Sequence, residues 1–273
     1  MHRGIMSETL RNEVTEKPKL DSFDYEKILL AREQIFNMIP SALEGHTRLI
    51  SLTNGGRFNQ SCVSEEDLAA EVDKWLTMDK LDFIKTTQEF NPDIGYQLVA
   101  SPNVSINRID FHRLSQTFSI KHNLRLISDM ADYSPSQLGG NDRNRIKPNK
   151  VKLLLIPSCM TTKVEGDISN QKKSLENYQK EIPFLTLPSP LQFLAYLETL
   201  YALESPTAQK KNSLIASPHL DLPLANIGTN KNPQYSSAIS FLEGDRLHQL
   251  QVPVSNTFYT KRLRIAVGDC LPL

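Results

Sequence analysis

Three residue types that can do nucleophilic chemistry occur in a suggestive order along this chain. Cys62 lies in "GGRFNQSCVSEEDLAAEVDKWL" (55–76), two residues before Ser64. Ser64 is a good helix N-cap, with Asp67 three residues on, so Cys62 falls just outside a helix N-terminus where the backbone dipole favours a thiolate. His248 follows in a strand-like run, and Asp269 ends another. A thiol, an imidazole base and an acid that orients it are the parts of a thiol hydrolase. The competing expectation is a small buried or capping cysteine, and Glu65, Glu66 and Asp67 favour it because their charge opposes thiolate formation.

The order Cys, His, Asp, with the thiol at a helix start and the imidazole on a β element, is similar to the papain-like thiol hydrolases. The Cys-Gly-Ser-Cys-Trp run of that family is not present. A second set of residues follows the apolar runs. Asp129 and His219 are the candidate catalytic residues, and Asn54, Arg57, Ser101 and Asn103 the candidate binding groups. In "TNGGRFN" the paired glycines allow close backbone approach, and Arg57 can pair with an anion. Neither GxGxxG nor the GxxxxGK[ST] phosphate loop occurs, and no cofactor is named by any motif. No metal site is expected: HExxH is absent, His112 and His122 are ten apart, and no two cysteines have zinc spacing.

The elements that would position these groups are legible as short runs. A helix fits Phe23 to Ile39, with Tyr25, Ile28, Leu29, Arg32 and Phe36 on one side and Pro40 as its stop. Then come β-like runs at 47–54, 96–103, 124–129, 151–158, 183–190 and 213–219, apolar on successive residues as strands buried on both faces are. Helical patterns start at Ser105 and, with Ser189 as N-cap and Pro190 at the first position, at 190–203. Strand, Ser-Pro, helix, strand is the grammar of βα units. The expected fold is therefore α/β, a predominantly parallel sheet flanked by helices, with a C-terminal antiparallel β extension. Residues 1–22 read as a flexible tail, 23–225 as the α/β domain, and 226–273 as its β-rich extension, with a turn at Glu243–Asp245 and Pro253 at an edge or bulge.

Lys plus Arg equals Asp plus Glu at 31 each, so no global field favours nucleic acid. The one dense basic run, Arg143 to Lys152, lacks the interleaved aromatics of a single-strand binder. Three cysteines leave one unpaired in any disulfide scheme, which suits a reducing compartment. With no leader-like or membrane-length apolar run, a soluble chain in the cytoplasm where it is made is expected; secretion without a cleavable signal is compatible with the sequence. Three functions follow as expectations. The first is an enzyme with a polar small-molecule site, for a phosphorylated or nucleotide-like ligand, at the strand carboxyl ends. The second is a binding or effector-type protein that contacts another protein. The third is the thiol hydrolase of Cys62, His248 and Asp269.

Overall fold

A computed structural model describes residues 22–53, 62–92, 95–103, 108–128, 151–157, 177–186, 188, 190–203, 221–223, 235–243, 245–253 and 266–268. Helix α1 spans Ser22–Phe36 and α2 Ile39–Ser51. Residues 47–51 of the run at 47–54, expected as a strand, are thus the end of a helix. Pro40 begins α2 rather than stopping α1, because its fixed φ and missing N–H suit the first helical turn. Ile39, Ala42, Gly45, His46, Leu49 and Ile50 of α2 are buried at helical spacing. The face of α1 also differs from expectation. Ile28, Ala31 and Ile35 are buried, while Tyr25 and Leu29 are exposed.

Two capped helices follow. In α3, Glu65–Trp75, the Ser64 hydroxyl accepts the Asp67 N–H at 3.1 Å, and Leu68, Val72 and Trp75 turn inward. In α4, Met78–Phe90, Thr77 plays the capping part, and the Lys80 ammonium returns to the Trp75 carbonyl at 2.9 Å and lies over the indole. That contact satisfies an orphan carbonyl at the end of α3.

The strands β1 (Tyr96–Pro102), β3 (Val151–Pro157), β8 (Ala266–Gly268) and β4 (Leu185–Thr186) form one sheet in that order, and every pairing in it is antiparallel. A second sheet has the order β2 (Arg125–Ser128), β7 (Arg246–Pro253), β6 (Tyr235–Glu243) and β5 (Asp221–Pro223). Its single parallel pairing is β2 with β7. The predominantly parallel sheet is therefore overturned. Successive apolar residues report that both faces of a strand are covered, and they carry no information on strand direction. The cover itself is as the runs require. On one face of the first sheet, Val99, Leu154 and Ile156 meet α2, α5 (Arg108–Lys121) and α6 (Pro190–Leu203). On the other, Leu98, Ala100, Leu153 and Leu155 meet α1, α3 and α4.

The β6–β7 pairing ends with Glu243 opposite Arg246, and a register shift between Tyr235 and Ser237 lies opposite Pro253 and Val252. The run at 213–219 lies outside the described residues. Helix α6 is buried from Leu191 to Leu200. It crosses α2 so closely that a Cβ on Gly45 would lie 2.8 Å from the Thr199 backbone, a separation only glycine permits.

Candidate functional site

The chemistry-bearing cluster that the described residues assemble stands where α5 ends against α6. Helix α5 closes through Asn123, the one described non-glycine residue with positive φ, at 55°. The Leu124 N–H reaches back to the Ser119 carbonyl at 2.8 Å and the Asn123 N–H to the Ile120 carbonyl at 3.3 Å. This reciprocal C-terminal cap needs a left-handed residue, and asparagine tolerates that conformation better than other side chains with a Cβ. It fixes Lys121 in the last turn and His122 at the cap, two cationic or potentially cationic groups at the negative end of the helix.

Both turn toward Glu198 in the middle of α6. The Lys121 ammonium donates to Oε1 at 3.0 Å and Oε2 at 3.1 Å, and His122 Nε2 lies 3.1 Å from Oε1. The Glu198 side chain is 0% exposed, that of His122 9% and that of Lys121 33%. A buried carboxylate has to be hydrogen-bonded or paired, and here one ammonium and one imidazole supply that. The imidazole stacks on Tyr201, ring centroids 3.8 Å apart and planes 19° from parallel, with Phe118 4.5 Å away on the same ring. Position and tilt of the imidazole are therefore set on two sides by aromatic rings and on a third by a carboxylate.

An ionised carboxylate can only accept, so Nε2 is the donor to Glu198. In the neutral ring the basic lone pair is then on Nδ1, which has no hydrogen-bond partner among the described residues. A buried carboxylate that orients an imidazole and leaves its second nitrogen available is the arrangement of an acid–base histidine.

The residues singled out in the sequence fare differently. Cys62 is exposed, two residues before the Ser64 cap, and has no hydrogen-bond partner among the described residues. His248 is half-buried in β7, in register with Ile127 on one side and Phe241 on the other. Ser101 is fully buried in β1 with its hydroxyl unpartnered, and Asn103, just past the strand, is half-buried. Asn54, Arg57, Asp129, His219 and Asp269 lie outside the described residues, as does the basic run up to Lys150. The residues of the α5–α6 cluster were not singled out as a site from the sequence. One signal was there to read: in "PLQFLAYLETLYAL", apolar nearly all round, Glu198 is the single charged residue. A carboxylate placed on such a helix has to find its counter-charge elsewhere.

Among the described residues no group of three or more His, Cys, Asp or Glu side chains is placed to hold a metal ion, and no helix is long and apolar enough to cross a membrane. No protein-family model matches the chain, and neither does any curated protein or any solved structure.

Proposed function

We propose that the protein binds a small polar molecule at the outer end of the α5–α6 pair and acts on it by acid–base chemistry through His122. One observation carries this reading: the imidazole is held by a fully buried carboxylate while its Nδ1 edge remains unbonded. In that role Glu198 orients the ring, Tyr201 fixes its plane, and Nδ1 takes a proton from the ligand. Lys121, a third exposed, stands beside the ring to attract negative charge.

The test begins with binding, because the ligand is unidentified. A set of small polar fragments is screened by ligand-observed NMR on the whole chain, and each hit is mapped on the protein amides. Hits that shift residues 119–124 and 197–201, and that vanish in His122→Asn, support the site. Turnover of any such ligand should then be lost in Glu198→Gln with binding largely kept. Hits that map elsewhere, or that are indifferent to His122→Asn, contradict it.

A second reading, a non-enzymatic interaction protein, is favoured by a different observation. Tyr25, Leu29 and Leu30 stand exposed on α1, and Phe90 ends α4 at 71% exposure. Apolar side chains grouped on a helix surface are what a protein partner covers.

A further inference from the structure

Sheet neighbours normally avoid like charges in register, because cross-strand partners on one face sit close together and repel. The parallel pairing of β2 with β7 does the opposite: Arg125 stands directly opposite Arg246. Neighbouring strands are about 4.8 Å apart, so the two guanidinium stems rise side by side. Both residues are exposed, and among the described residues neither guanidinium enters an ion pair. In the adjoining row Leu247 is 0% exposed in the hydrophobic core, and the partly buried Leu126 packs against it. Alternation along the strands therefore sends the arginines to the opposite, outward face, together with Ile127 and the half-buried His248.

The pair is held firmly from below. The Arg125 N–H donates to the Asp245 carbonyl at 2.7 Å, and the core leucines anchor both strands. Two acids stand near in the chain: Asp245, exposed and without an ion pair among the described residues, and Glu243, opposite Arg246 in the β6–β7 register. We infer that Arg125 and Arg246 form a binding site for the phosphate group of a small phosphorylated ligand. A phosphomonoester dianion relieves the repulsion between the two stems and accepts from both planar forks at once, a match that the point charge of a lysine does not give. His248 lies two residues beyond Arg246 on the same face, where the remainder of the ligand would extend. The pair uses none of the residues of the His122 cluster, so its failure would leave the acid–base reading untouched.

The experiment titrates the whole chain with inorganic phosphate and with phenyl phosphate, at ionic strength held constant with chloride, and follows the arginine side-chain NMR signals. Both phosphates should saturate, shifting Arg125 and Arg246. Arg125→Gln and Arg246→Gln should each weaken binding about tenfold or more, as loss of a charge-assisted hydrogen-bond pair does. In phosphate-free buffer the same variants should be no less stable than the parent, since each removes a repulsion. Shifts reproduced by chloride alone, unaltered binding in the double variant, or refusal of phenyl phosphate would each overturn the assignment. A phosphoserine peptide that bound far more tightly than phenyl phosphate would overturn the small-ligand part of it.

Discussion

The two sides of the first sheet are built from different materials. Around α1, α3 and α4 the buried side chains are aliphatic or aromatic, and Lys80, tied to Trp75, is the buried charge. Around α6 the same depth of burial holds Gln192, Glu198 and Thr199, with His46 from α2 and Ser115 and Ser119 from α5. An apolar layer needs only shape and volume to be satisfied, and it tolerates many sequences. A polar layer has to satisfy each donor and acceptor, which ties it to one arrangement of particular residues. The α3 side is thus a support, and the α6 side is where a specific chemistry has been placed.

The contrast predicts different outcomes for mutations on the two sides. Leu68→Ala, on the apolar side at 0% exposure, leaves a cavity and should cost about 2–5 kcal/mol in denaturant unfolding. Binding at the α5–α6 cluster should be unchanged in the protein that remains folded. A smaller loss is expected from Lys121→Met, which leaves Glu198 buried with the imidazole alone. Breaking a buried pair from one end costs roughly 3–5 kcal/mol, reduced here to about 2 because Lys121 is a third exposed. Adding Glu198→Leu should return most of that loss, since no buried charge is then left without its partner. If the double variant were instead as unstable as the sum of the two single ones, the coupling between the residues would be absent. The smallest effect should come from Ser64→Ala, which removes the α3 cap and should cost about 1 kcal/mol. Its amide-exchange signature should stay confined to the first turn of α3.

Much of this was readable beforehand where a local rule had one solution. Ser64 as a cap, Pro190 as the first residue of α6, and β1, β2 and β3 as strands follow from capping chemistry and continuous apolar runs. The misreading at 47–54 has a physical cause. The helical face of α2 includes Gly45 and His46, one buried because α6 approaches so closely, the other a polar residue, so the apolar period is broken. What remained, "RLISL", looks like a strand. Strand direction was hidden for another reason: it depends on the path between strands, and the burial of a run is the same either way. The site was only half legible. Glu198 is a lone charge on an apolar helix, a signal present in the sequence but not used, and its partners lie 76 and 77 residues away at the end of α5. Only packing could reveal them.

The central claim is that Glu198 holds His122 through Nε2 and leaves Nδ1 as the basic atom. Imidazole nitrogen NMR on the whole chain, recorded above the pH at which the ring is neutral, reads the tautomer directly. The account predicts an Nε2–H ring in the parent and a loss of that preference in Glu198→Leu. A predominantly Nδ1–H ring in the parent, or a spectrum that Glu198→Leu leaves unchanged, would contradict it.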